Sequence, residues 1–158
     1  MTVDGLQHEL KQRKPFRSIE EEAFLNIART AAVLEHDLAQ ALKPFDITPT
    51  QYNVLRILRG AGADGLCRNE VGERLVRRVP DVTRLLDRME ETGLLVRARS
   101  DPDRRYVTTR ITAQGLSLLD RLDQEISRIH GSQLGHLERK QLKALIELLT
   151  EVRAGHPG

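Results

Sequence analysis

Phe24, Ile27, Ala31, Leu34, Leu38 and Leu42 recur every three or four positions, which places them on one stripe of a helix about seven turns long. Ser18 with Glu21 forms a capping box at its start, Glu20, Glu21 and Glu22 suit the positive end of its dipole, and Pro44 stops it after Lys43. A helix this long in so small a chain is expected to pack against more than its own subunit. Thr48-Pro49-Thr50-Gln51 opens a second helix with another capping box and a proline at the first helical position; Tyr52, Leu55 and Leu58 face inward and Gly60 ends it after Arg59. Residues 60–65 read as a flexible loop, and a short helix follows over roughly 68–76 with Val71 and Leu75 inside. Arg77, Arg78 and Val79 make a turn, and Pro80 opens a fourth helix with Val82, Leu85, Leu86 and Met89 at i, i+3, i+4 and i+7, closed by Gly93.

The period then changes from helix to strand. Leu94, Val96 and Ala98 alternate with Leu95, Arg97 and Arg99, and beyond residues 100–105 the run Tyr106 to Ile111 alternates again, predicting a hairpin with an arginine-bearing tip. Thr112 caps a fifth helix with Leu116, Leu119, Leu122, Ile126 and Ile129 on one face; after Gly131 and Gly135 a last helix carries Leu142, Leu145, Ile146, Leu149 and Val152. Residues 1–17, with Lys11, Arg13, Lys14, Pro15 and Arg17 and no apolar period, read as a mobile basic arm. The expected fold is mainly α with one small hairpin. Within 45–112 the order helix, short helix, turn, helix, hairpin is that of a winged helix-turn-helix, in which the second helix of the pair enters the major groove and the hairpin reaches a neighbouring groove.

Composition narrows the chemistry. The 158 residues suit one domain, and with 39% apolar and 30% charged residues, no long apolar run and no leader pattern, a soluble cytoplasmic protein with no membrane partner is expected. One cysteine excludes a disulfide scaffold and a Cys-rich zinc site, and an aromatic content of 3% speaks against stacking platforms for single strands. The net charge of +2 says little, but of 25 cations 20 are Arg, and no Lys occurs between Lys43 and Lys140. The segment 45–112 holds 13 Arg against 10 acids, so any field it makes is local. Arginine suits such a place because its planar fork makes two hydrogen bonds to a guanine edge or a phosphate. Asp81, Thr83, Arg84, Asp87 and Arg88 lie off the apolar stripe of the fourth helix, Arg77 and Arg78 sit in the turn before it, and Arg104 and Arg105 sit at the hairpin tip. These are the candidate DNA-binding residues, excepting Asp87, whose spacing equally suits a structural pair with Arg88.

Four strings carry a resemblance: Thr48 to Leu55 (TPTQYNVL), Val82 to Leu94 (VTRLLDRMEETGL), Asp103-Arg104-Arg105, and Ile111 to Gly115 (ITAQG). Together, at these spacings, they resemble MarR-type transcriptional regulators, over nearly the whole chain from Ser18 to about Arg153. The resemblance implies a homodimer in which residues 18–44 and 113–158 form a helical dimerisation region and 45–112 a DNA-binding lobe. It implies a repressor of double-stranded, pseudo-palindromic DNA released by a small-molecule effector. By position, Thr83 and Arg84 match major-groove contacts, Arg105 a minor-groove wing arginine, and Asp103 a wing-orienting acid. The family's effector pocket lies between the dimerisation helices and the winged lobe, which makes Phe24, His36, Phe45 and Tyr52 candidates by rough position.

Some residues carry two readings. Asp81 stands where the family often has Ser or Thr; it either accepts from a cytosine amino group or favours the helix N-terminus. Cys67 replaces an expected capping threonine; beside Arg68 at a helix start it is either a thiolate-prone redox sensor or a small buried apolar group. His8, His36, His130, His136 and His156 form no zinc pattern, and no nucleophile motif or phosphate loop appears, so neither a metal, a cofactor nor an enzyme is expected. The rival function classes are a winged-helix protein-interaction module without DNA binding and a thiol- or metal-responsive regulator on the same fold.

Overall fold

The computed structural model describes residues 5–99 and 106–156. Along these the elements run α1 (Leu6–Glu9), α2 (Ile19–Leu42), α3 (Pro49–Ala61), α4 (Arg68–Arg74), α5 (Val82–Glu91), β1 (Leu95–Arg99), β2 (Val107–Ile111), α6 (Ala113–Leu134) and α7 (Arg139–Ala154), with 3-10 turns after α2 and α3. The fold is mainly helical with one two-stranded antiparallel hairpin, as the change of period predicts. The expected starts are present because each satisfies orphan backbone donors locally. Ser18 accepts from Glu21 N–H at 3.1 Å, and Thr48 and Gln51 bond each other's backbone N–H at 3.2 and 3.0 Å. Three boundaries differ. Helix α3 runs through Gly60 to Ala61, Gly131 lies inside α6, and Asp81 rather than Pro80 stands at the start of α5. The arm also departs from expectation: from Gly5 on it folds a turn of helix, α1, whose Leu6 is buried.

One contiguous core joins α3, α4, α5 and the base of the hairpin to the end of α2 and most of α6, with Leu42, Leu55, Leu58, Val71, Leu86, Met89 and Leu122 fully buried. Each such side chain contributes about 1.5–3 kcal/mol by leaving water. The inner face of α6 is rotated from the expected stripe: Leu118 is buried and Leu116 is exposed. Glycine explains the rotation. A Cβ on Gly115 would collide with the Leu94 carbonyl, so only glycine lets α6 lie this close to the start of the hairpin. Thr112 ties the same junction, accepting from Gly115 N–H at 3.1 Å and donating to the Gly93 carbonyl at 2.6 Å. Gly93 itself sits at φ +78°, the left-handed conformation that ends α5.

The hairpin pairs Leu95 with Ile111 and Arg97 with Thr109. Its inward face is therefore Leu95 and Arg97, while Val96 points out, the reverse of what alternating hydrophobicity predicts. A two-stranded wing covers only one narrow face, and here that face is filled by an arginine with carboxylates to meet it rather than by valine. The long stripe on α2 is largely open: of its residues only Leu42 is buried. Helix α7 buries none of its residues.

Candidate nucleic-acid interface and effector cavity

Helix α5 is held by its apolar side, with Leu86 and Met89 in the core, and started by Asp81, whose carboxylate accepts the Arg84 N–H at 2.9 Å. The capping reading of Asp81 is thus realised in the folded chain. The opposite side of α5 presents Arg84 and Arg88 to solvent. Thr83 is half-buried and accepts from Arg68 Nη1 at 3.1 Å, which leaves its hydroxyl proton to donate elsewhere. Arg68, at the first position of α4, is a site neighbour that the sequence did not single out; no periodic signal marks it.

The arginines sort into two sets by what they already bind. Arg78, Arg84 and Arg88 form no ion pair with a described residue and keep their full donor capacity. Arg77, expected at the DNA, instead pairs with Glu35 of α2, and the turn is pinned beside it by Val76 N–H donating to Asn53 Oδ1 at 2.9 Å. Asp87 does not pair with Arg88. It meets Arg97 of the wing, which also contacts Glu90 Oε1 at 3.0 Å and donates its backbone N–H to Glu90 Oε2 at 2.6 Å. Those bonds hold the Glu90 carboxyl below its ordinary range, the backbone bond most strongly. Burial alone would depress Arg97, but the bonds to Asp87 and Glu90 outweigh it and raise its pKa. At 21% side-chain exposure Arg97 fastens the wing to the recognition helix. Arg97→Met is expected to cost about 1–2 kcal/mol of stability, read as a lowered urea midpoint, and to weaken duplex binding without altering the bases preferred. Asp103, Arg104 and Arg105, named as wing orienter and wing contacts, lie outside the described residues.

A second brace joins lobe to scaffold: Arg59 of α3 donates to both oxygens of Asp123 on α6, at 2.9 and 3.1 Å. The Arg59 hydrogen bonds hold the Asp123 carboxyl below its ordinary range. A depressed folded pKa means that the contribution is complete above the unfolded value and is lost as pH falls through the folded one. The pair is exposed, so it is expected to add at most about 1 kcal/mol. The melting difference between wild type and Asp123→Asn should be constant near neutrality and shrink below about pH 4.

Cys67 is half-buried at the start of α4, where its N–H donates to Glu70 Oε2 at 2.8 Å. The helix end already holds a carboxylate, and Arg68 is turned to Thr83, so both features that would favour a thiolate are engaged. Among the described residues no three His, Cys, Asp or Glu side chains converge as a metal site would require, and no helix is long and apolar enough to cross a membrane. A cavity of about 580 Å³ opens between α2, the start of α3, the turn before α5 and the end of α6. Its walls include Leu34, Leu38, Pro49, Tyr52, Val76 and Leu134, with Glu35 and Arg77 also lining it. Of the four residues placed there by rough position only Tyr52 lines it; Phe24 and His36 are exposed on α2, and Phe45 lines a smaller cavity beside Arg121. A stripe read from sequence cannot say which turn of α2 faces α6.

A capped helix with unpaired arginines, packed on a second short helix and flanked by a hairpin, defines a winged helix-turn-helix protein of the DNA-binding class. The model of the MarR family matches residues 45–105. The chain is 31% identical over 115 residues to the HTH-type transcriptional regulator YkoM of Bacillus subtilis, covering 70% of this chain and 73% of that one. It is 35% identical to a MarR transcription factor of known structure from Planctomyces limnophilus, over 86% of this chain and 98% of that one, with a TM-score of 0.66. It is also similar to the transcriptional repressor CouR, solved bound to a 23-mer DNA duplex, at 28% identity over 81% of this chain and 89% of that one, with a TM-score of 0.71. The chain belongs to the MarR family of transcriptional regulators, which are not enzymes.

Proposed function

We propose that this protein is a homodimeric repressor that binds a pseudo-palindromic duplex through α5 and the wing and leaves it when a small ligand occupies the cavity between lobe and scaffold. The observation that carries the DNA reading is the sorting of arginines: those on the open side of α5 and in the turn beside it are unpaired, while those facing the interior are neutralised. A relative bound to duplex DNA supports it. The uncovered apolar sides of α2 and α7 support the dimer. Two recognition helices would enter successive major grooves roughly 34 Å apart on one side of the duplex. Thr83 and Arg84 would meet base edges, Arg78 and Arg88 phosphates, and Arg104 and Arg105 the adjacent groove, with Asp103 orienting the wing. Such a protein would act in the cytoplasm.

The test is binding of the duplex flanking its own gene as a function of salt. Affinity should fall steeply as ionic strength rises, and Arg105→Ala should flatten that slope, because phosphate contacts release counterions. Retention on DNA that ignores ionic strength would favour a protein-interaction module instead.

A further inference from the structure

The cavity has apolar walls, but its polar groups are unequally spent. Gln133 already gives its amide hydrogens to the Leu34 carbonyl at 3.1 Å and to Asp37, and Asn53 already uses its carbonyl on Val76 N–H. Tyr52 accepts from Arg56 at 3.1 Å, so its hydroxyl proton is free to donate. What remains is mostly donors: the Asn53 amide, the Tyr52 hydroxyl and the Arg77 guanidinium. The one carboxylate in the lining, Glu35, is engaged with Arg77. A ligand that offers acceptors therefore finds partners, and one that offers donors does not.

The two partners of that ion pair also differ in what they can move. Glu35 lies in the middle of a 24-residue helix. Arg77 lies in the short turn between α4 and α5, beside Val76, which is 91% exposed, and four residues before the Asp81 cap. The turn has two holds on the scaffold, the Arg77–Glu35 pair and the Val76–Asn53 hydrogen bond. We propose that the cavity binds an apolar monoanion, an aryl or alkyl carboxylate, which takes Arg77 from Glu35 and so releases the turn that positions the recognition helix. Glu35 is then an internal competitor for the ligand's site, returned to water when the ligand binds. This ligand class rests on the reading that a small molecule controls DNA binding, and it makes a prediction independent of DNA.

The test is calorimetric titration of the full chain at neutral pH with three matched probes: 2-naphthoate, 2-naphthamide and 2-naphthylmethylamine. The carboxylate is expected to bind at least about tenfold tighter than the amide, the equivalent of one charge-assisted contact. Arg77→Gln should reduce the carboxylate to the level of the amide, with Arg77→Lys between them. Glu35→Gln should tighten the carboxylate several-fold and leave the amide unchanged. Equal binding of all three probes, preference for the amine, weaker carboxylate binding by Glu35→Gln, or no saturable binding would overturn the proposal. So would retention of the duplex at unchanged affinity under saturating naphthoate. A chain that fails to bind duplex before any ligand is added, yet keeps the carboxylate preference, would refute the DNA reading and leave the ligand class standing.

Discussion

Replacing Ile146 with glutamate is expected to split the dimer and abolish operator binding while leaving each lobe folded. Helix α7 contributes no buried residue to its own chain, yet Ile146 is 62% and Leu148 61% exposed, and on α2 Phe24 is 68% exposed. Contiguous apolar faces of this kind are kept from water in folded proteins by a partner surface. In a two-fold assembly every substitution enters twice. Losing the burial of two isoleucines alone removes about 3–6 kcal/mol of association energy, before the cost of burying two glutamates is counted. Sedimentation equilibrium should therefore show monomers at concentrations where wild type is dimeric. Because the core around Leu55, Leu86 and Leu119 receives nothing from α7, circular dichroism should retain the helical signal of the lobe. Lys143→Glu, a charge change at an already polar position of the same helix, serves as the control and should stay dimeric. A dimeric Ile146→Glu protein would place the interface elsewhere.

Arg84→Ala is expected to have the largest effect on DNA binding without any effect on folding. Arg84 projects from the open side of α5 and has no ion-pair partner among the described residues, so truncation breaks no internal contact. A bidentate arginine contact to a base is worth about 1–3 kcal/mol, and a symmetric dimer makes it at both half-sites, giving a total loss of about 2–6 kcal/mol. Fluorescence anisotropy with the flanking duplex should show that loss together with relaxed preference at one position in each half-site, while the melting temperature stays at the wild-type value. Arg88→Ala should weaken all duplexes more evenly, as a phosphate contact does. If Arg84→Ala binds with wild-type affinity and preference, α5 is not the reading helix. The contrast with Arg97→Met is informative, since that arginine is spent on Asp87 and Glu90 and its loss should appear in stability first.

What the sequence determined on its own was every feature that depends on residues a few positions apart. Ser18 with Glu21, Thr48 with Gln51 and Thr112 with Gly115 each satisfy a backbone donor within the first turn, so caps and helix starts were legible, and with them the order of elements and the winged-helix class. Gly93 and Pro44 punctuate the chain by their own stereochemistry, without a partner. The abundance of arginine in the middle segment was equally legible, but not the fate of each one. Arg77 meets Glu35 across 42 positions and Arg59 meets Asp123 across 64, and no periodicity announces a pair of that separation. Arg97 broke the alternation it was read into, because carboxylates on α5 meet the inner face of the wing there. Even the position of the cavity depends on which turns of α2 and α6 face each other. Those outcomes belong to the tertiary structure: an arginine is a DNA contact or a structural brace according to whether packing brings a carboxylate within reach, and only the arrangement of α2, α5 and α6 around the common core decides that.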